Sequence, residues 1–125
     1  MDVDTAERST VTAPREYRDF WAGVGERFPD LGGAASTRYY ADNEERLFTE
    51  HFPALEGLRI LKTDLWDEAK NTRILQWAAG QGARVYGVDL SEPIVRQARA
   101  GFAARRWHRD FLHSPADRHG SKMRP

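Results

Sequence analysis

Short apolar runs in the central third of the chain alternate with segments of helical periodicity. Two runs, residues 58–61 and 84–89, have the length and composition of β-strands, and helical patterns follow them at 72–79 and 91–102. Apolar strands of this length that alternate with helices are typical of a parallel sheet covered on both faces. The pattern therefore predicts an α/β fold that consists of a βαβ unit and one further helix.

Two helices are predicted before this unit. From Arg15 onward, apolar residues recur at intervals of three and four, which places them on one helical face: Tyr17, Phe20, Trp21 and Val24. Residues 28–33 include a proline and two glycines that end this helix, and a second helix is predicted from Ser36 or Thr37 to about Phe52. An aromatic face of this kind usually packs against a core.

The last predicted helix is long. Residues 94, 95, 98 and 102 are apolar at helical spacing, and the helix is predicted to continue through Trp107 and Phe111 until Ser114 and Pro115 end it. The sheet is then limited to two strands, an incomplete Rossmann-like parallel sheet with a helical N-terminal lead-in. Four segments are predicted: a disordered lead (1–14), the helical lead-in (15–56), the partial Rossmann-like unit (57–113) and a disordered basic tail (114–125).

Composition argues against several classes of function. The 125 residues include no cysteine, which excludes disulfides and thiol catalysis and fits a cytoplasmic location. No apolar run approaches the 18 or so residues of a membrane span. Residues 103–125 carry six Arg/Lys against two Asp, but a basic tail without a recognisable binding motif does not favour nucleic acid as a partner. The spacing of His108, His113 and His119 suits no ordinary zinc site, so no metal is predicted.

Asp89 is the residue most indicative of chemistry. It closes the second predicted strand, and a helix opens directly after it with Ser91, Glu92 and Pro93. In a βαβ unit the second strand ends close to where a nucleoside lies, and a carboxylate there can accept both ribose hydroxyls. The alternative is that Asp89 only caps the next helix or turns the chain, as Asp often does. Geometry alone leaves both interpretations open.

The same region resembles a known family. The segment GARVYGVDLS (82–91) followed by IVRQAR (94–99), with GLRIL (57–61) upstream, is similar to the opening of a class I S-adenosylmethionine-dependent methyltransferase. The resemblance covers about the central third of the chain. It implies a Rossmann-like sheet, S-adenosylmethionine as the cofactor, and Asp89, with Leu90 beside it, at the position that binds the ribose. It also implies that the N-terminal helices cover the cofactor as a lid, to which Tyr39 or Tyr40 could contribute.

The loop after the first strand departs from the family pattern. Residues 62–71 (KTDLWDEAKN) contain no glycine where the family has a glycine-rich turn. The negative charges in this loop, Asp64, Asp67 and Glu68, disfavour a phosphate, because like charges about 4 Å apart cost roughly 4 kcal/mol at an effective dielectric near 20. NAD and ATP are therefore poor candidates. S-adenosylmethionine has no phosphate and carries two cationic groups.

Five residues form the predicted cofactor site: Lys62, Thr63, Asp64, Asp89 and Leu90. Within it, Lys62 is expected to pair with the cofactor carboxylate and Asp64 with its ammonium group, and the alternative is that these charges only form a solvated turn. Trp66, near the same loop, could cover an adenine or fill the core. No catalytic residue can be assigned.

The expected function is methyl transfer from S-adenosylmethionine to an unidentified small-molecule or macromolecular acceptor. Two strands lack the substrate half of such an enzyme, so the chain is expected to be an N-terminal piece of one, either truncated or with its reading frame altered near residues 103–113, and inactive alone. The alternative is a non-enzymatic interaction module that uses the Rossmann-like scaffold, the aromatic helices and the basic tail for its contacts. Unpaired sheet edges could also mediate self-association.

Overall fold

The computed structural model describes residues 14–114. The predicted disordered lead and basic tail therefore lie outside the described residues, apart from Pro14 and Ser114. The elements in chain order are α1 (Arg15–Arg27), α2 (Ala35–His51), β1 (Arg59–Lys62), α3 (Trp66–Lys70), α4 (Ile74–Gly80), β2 (Arg84–Asp89), α5 (Glu92–Ala100) and β3 (Arg109–His113). None of the helices within this range combines the length and apolar character that a membrane span requires.

The three strands form one parallel sheet in the order β1-β2-β3. The α/β class and the parallel pairing of the first two strands are thus confirmed. Parallel neighbours need a crossover connection; α3 and α4 provide it between β1 and β2, and α5 provides it between β2 and β3. Both predicted lead-in helices are present, with bounds within about one residue of those expected.

The prediction of only two strands is wrong. The last helix ends at Ala100 instead of continuing through Trp107 and Phe111, and Arg109–His113 forms β3, in register with Val85–Asp89 of β2. In β3 only Phe111 is buried, so its sequence shows no apolar alternation. The aromatic spacing happened to fit a helix, whereas Phe111 packs edge to face against Phe102 at 5.3 Å between ring centroids. Tertiary packing therefore decides the conformation here.

The segment between β1 and β2 contains two short helices instead of one. Arg73 adopts a left-handed conformation (φ 57°) that interrupts the helical path between α3 and α4. Leu65, which precedes α3, and Ala69 within it are buried in the core. Gly80 is the last residue of α4, and Gly82 after it has φ +97°, a left-handed conformation that favours glycine beyond a helix end.

The core lies on one face of the sheet. Val85, Gly87 and Phe111 share this face, against which α3, α4 and α5 pack. A Cβ at Gly87 would clash with the Leu65 side chain, so the close packing of Leu65 against β2 favours glycine there.

The opposite face of the sheet is exposed, and we call it the open face. Strand alternation and register place Leu61, Tyr86, Val88 and Leu112 on this face. The side chains of Leu61 and Leu112 are 63% and 48% exposed, and Tyr86 and Val88 are half-buried. Parallel sheets are normally covered on both faces, so this apolar surface is unusual for the class.

Candidate functional site

A cavity of about 570 Å³ opens at the carboxyl ends of β1 and β2. Four of the five predicted cofactor-site residues line it, and they come from two separate parts of the chain: Thr63, Asp64, Asp89 and Leu90. In open α/β sheets, ligands bind in the crevice outside the carboxyl ends of the strands. The parallel pairing of β1 with β2 therefore brings these residues together where such a ligand lies.

Asp89 stabilises the turn after β2 and also lines the cavity. Its Oδ1 accepts a hydrogen bond from the backbone N–H of Ser91 at 2.8 Å, and its Oδ2 accepts one from the N–H of Leu65 at 2.7 Å. These two bonds hold the carboxylate in one orientation. Because each carboxylate oxygen can accept more than one hydrogen bond, acceptor capacity remains on the side that lines the cavity. The turn interpretation and the ligand interpretation are thus compatible.

Asp64 and Thr63 line the cavity from the loop after β1. Asp64 Oδ1 accepts the backbone N–H of Trp66 at 3.1 Å, which positions its carboxylate at the start of α3. Both residues are exposed. The glycine-free loop therefore presents a carboxylate and a hydroxyl to the cavity.

Lys62 does not line the cavity. Its Nζ lies 3.4 Å from Glu68 Oε2 and 3.8 Å from Asp67 Oδ2. Glu68 is itself buried and also accepts the backbone N–H of Leu75 at 3.1 Å, at the start of α4. Burial raises the pKa of the Glu68 carboxyl, although the neighbouring Lys62 ammonium opposes that rise. The expected bond from Lys62 to a cofactor carboxylate stays a prediction, since it requires Lys62 to leave this cluster.

Helix α1 forms one wall of the cavity. Tyr17, Trp21 and Val24 line it from a single face of this helix, and Phe28 lines it just beyond the helix end. Phe20 does not line the cavity and is exposed. Tyr39 and Tyr40 of α2, which were candidates for a lid, are also exposed and do not line the cavity.

Contacts at the C-terminal end of α1 and just beyond it hold this wall in place. A Cβ at Gly25 would lie 2.5 Å from Ser91 Oγ and 2.9 Å from Ile94 Cγ1, so α1 approaches α5 as closely as a glycine allows. At the end of α1, Lys70 Nζ donates to Phe28 O at 2.6 Å. Beyond it, Arg73 Nη2 pairs with Asp30 Oδ2 at 2.6 Å.

Sequence reasoning gave no site role to six residues that line the cavity: Tyr17, Trp21, Val24, Phe28, Ser91 and Ile94. Phe28 was assigned only to the break after α1, and Ile94 only to the buried face of α5. Ser91 precedes α5 as its N-cap, yet its hydroxyl makes no capping bond and has no hydrogen-bond partner among residues 14–114, although the residue is only 2% exposed. A buried hydroxyl without a partner is uncommon, but no sequence pattern shows it. Trp66, the residue expected near the loop, does line the cavity.

The histidines and acidic residues do not form a metal site within residues 14–114. His113 Nε2 lies 3.0 Å from Leu90 O, and the ring of His108 packs against Tyr86 at 4.9 Å between centroids. His119 lies outside the described residues.

No family model matches this chain, and no curated protein is similar enough to count as a relative. Any functional conclusion therefore depends on the geometry of the cavity and on the residues that line it.

Proposed function

We propose that this chain is the cofactor-binding portion of an S-adenosylmethionine-dependent methyltransferase. One observation carries the proposal: the cavity at the carboxyl ends of β1 and β2 gathers Thr63, Asp64, Asp89 and Leu90 beneath an aromatic wall. The proposal includes a cytoplasmic location, in keeping with the absence of cysteine.

The size and lining of the cavity suit an adenosyl ligand. A volume of about 570 Å³ lies within the usual range of small-molecule sites, roughly 300–1,000 Å³. The Asp89 carboxylate can accept ribose hydroxyls, and the rings of Trp21, Phe28 or Trp66 offer faces for an adenine. Asp64 can accept hydrogen bonds from the ammonium group of the methionine part. The two carboxylates disfavour a phosphate, which argues against a dinucleotide.

The chemistry of methyl transfer consists mainly of positioning. The acceptor atom must lie in line with the sulfonium methyl group, and a base is needed only if the acceptor must lose a proton. Within residues 14–114 the residues we assign hold the cofactor, and we assign none of them as a base. The methyl acceptor would be a small molecule or macromolecule that binds beside the cavity mouth.

Isothermal titration with S-adenosylmethionine tests the proposal. We expect saturable binding by the parent and at least about tenfold weaker binding by Asp89→Asn, because hydrogen bonds to a charged group contribute about 1.5–3 kcal/mol. The asparagine keeps one acceptor oxygen for a backbone N–H. Asp110→Asn, an exposed position on β3 outside the cavity, is the matched control and should bind as the parent does. Absence of binding by a folded parent refutes the proposal.

The open face favours a second candidate, the non-enzymatic interaction module. Leu61 and Leu112 expose apolar area on it, and β1 forms one edge of the sheet described here. Arg84 N–H donates to Leu58 O at 2.8 Å, so alternation along β1 turns the backbone groups of Arg59 and Leu61 outward. Such an edge can pair with the same edge of a second copy.

Sedimentation velocity over a range of concentrations tests this candidate. If the edge mediates self-association, Leu61→Lys should weaken the dimer about tenfold or more, because a charge at an exposed edge opposes strand pairing. Leu47→Lys, at a 55% exposed position on α2, is the control and should leave association unchanged. A monomeric parent at all concentrations would rule out self-association through β1.

A further inference from the structure

Each strand of the sheet begins with an arginine. Arg59, Arg84 and Arg109 are the first residues of β1, β2 and β3, and all three are exposed. In the parallel register Arg59 is the partner of Arg84, and Arg109 is the partner of Val85, the next residue of β2. Because neighbouring strands lie about 4.8 Å apart, the three arginines lie side by side, at the end of the sheet opposite the cavity.

The loop before β3 adds two arginines to this end of the sheet. Arg105 and Arg106 are exposed, and the guanidinium carbon of Arg105 lies 4.9 Å from the centroid of the Trp107 ring. A Cβ at Gly80 would lie 3.2 Å from Trp107 Cζ2, so the loop packs against the end of α4, from which the chain turns into β2. We call the five arginines at this end of the sheet the arginine cluster: Arg59, Arg84, Arg105, Arg106 and Arg109.

The arginine cluster has an excess of positive charge. None of its members forms an ion pair with another residue in the described range, 14–114. Glu56, beside the turn at Gly82, and Asp110 of β3 supply two negative charges close to the five positive ones. Like charges opposite each other on neighbouring strands repel, and Arg59 lies directly opposite Arg84. A bound anion would offset this repulsion.

The side chains at and beside the cluster suit phosphates and unpaired bases. All five cationic residues are arginines, and the planar guanidinium group can bind a phosphate through two parallel hydrogen bonds. Strand alternation places Arg84 and Tyr86 together on the open face, where the half-buried Tyr86 ring lies 4.9 Å from the ring of His108. Aromatic rings beside basic residues provide stacking positions for the bases of a single strand. An acidic peptide has no bases to stack, so this combination favours a nucleic acid.

We propose that the arginine cluster and the Tyr86 ring bind single-stranded nucleic acid, with phosphates on the arginines and a base on Tyr86. The carboxylates of Asp64 and Asp89 at the opposite end of the sheet repel phosphate, so the field of the protein directs the strand to the amino ends of the strands. This surface is separate from the cavity, and the inference is independent of the proposed function. The basic residues after 102 formed only a tail in the sequence, whereas the pairing of β3 with β2 places three of them beside Arg84.

Fluorescence anisotropy with labelled deoxyuridylate and uridylate oligomers of about twelve nucleotides tests the proposal. The two probes differ only in the sugar, so their affinities separate a DNA partner from an RNA partner, and equal affinities assign recognition to the shared phosphates and bases. We expect saturable binding at low salt. Arg59→Gln combined with Arg84→Gln should weaken binding about tenfold or more. It should also reduce the slope of log K against log salt by about 1.4, since each phosphate contact in a single strand contributes about 0.7.

The matched control is Arg15→Gln combined with Arg46→Gln. It removes the same net charge from exposed positions on α1 and α2, outside the arginine cluster, and should leave the affinity and the salt slope close to those of the parent. Tyr86→Leu removes the ring and keeps an apolar side chain. It should weaken binding at least about fivefold without a change in slope, the effect of one lost base stack.

Four results would overturn the proposal. These are no binding of either probe by the folded parent at low salt, equal losses in the two double variants, unchanged affinity in Tyr86→Leu, and displacement of the probe by poly-L-glutamate as effective as that by the unlabelled oligomer. The last result would assign the surface to an acidic protein segment. We expect poly-L-glutamate to compete at least about tenfold more weakly than the oligomer, because it offers no bases and no bidentate phosphates.

Discussion

Phe111→Ala is expected to lower the free energy of unfolding by about 3–5 kcal/mol, the usual cost of removing a large aromatic side chain from a core. Phe111 is 2% exposed and packs edge to face on Phe102 beneath α5. The loss of stability combines the transfer free energy of the ring with the free-energy cost of the cavity that its removal leaves in the core. Chemical denaturation followed by circular dichroism measures it.

Leu112→Ala is the matched control for this prediction. Leu112 is the next residue along β3 and lies on the open face, 48% exposed. Its truncation should cost less than about 1 kcal/mol, because little apolar area is returned to water. A large difference between neighbours is the expected signature of a strand with one buried face. Similar losses at both positions would contradict the placement of Phe111 in β3.

Glu68→Ala is expected to lower the free energy of unfolding by about 2–4 kcal/mol. The buried carboxylate accepts the Leu75 N–H and lies beside the Lys62 ammonium, so its removal leaves a backbone donor and a half-buried charge with weaker partners. Each such loss costs about 1–3 kcal/mol. Glu68→Gln keeps an acceptor for Leu75 and should lose far less. The same denaturation measurement at neutral pH compares the two variants.

The pH dependence of stability gives a second test of Glu68. Burial raises the pKa of its carboxyl above the ordinary value of 4.5, so the folded chain binds a proton more readily than the unfolded chain. The stability that this group contributes is therefore fully present below about pH 4.5 and is lost as pH rises through the raised pKa. Glu68→Gln cannot titrate. The parent should gain stability relative to Glu68→Gln as pH falls toward 4.5, and a relative loss would contradict the buried position of this carboxyl.

The sequence predicted the elements whose local pattern and burial agree. β1, β2 and α5 have apolar residues at the expected period. The place of Asp89 in the candidate site was predicted from its position at the end of β2. It also predicted that Asp64 and Asp89 lie at the same edge of the sheet, because parallel strands bring their carboxyl ends together. These predictions needed only the order of residues and the geometry of a βαβ unit.

The remaining features depend on contacts that have no local pattern. β3 has a single buried residue, so its conformation comes from pairing with β2 and from the packing of Phe111. The break between α3 and α4 depends on the left-handed Arg73, a conformation that non-glycine residues seldom adopt. Lys62 was expected at the cavity, but a buried Glu68 six residues away attracts its ammonium. Long-range packing decided each of these cases.

The central claim is that the cavity beside Asp89 binds the adenosyl part of S-adenosylmethionine. A crystal structure of the chain grown with this ligand tests it most directly. We expect electron density for the ligand between α1 and the carboxyl ends of β1 and β2, with both ribose hydroxyls within about 3 Å of the Asp89 carboxylate. Density for the ligand at another surface, or a ribose that does not contact Asp89, would contradict it.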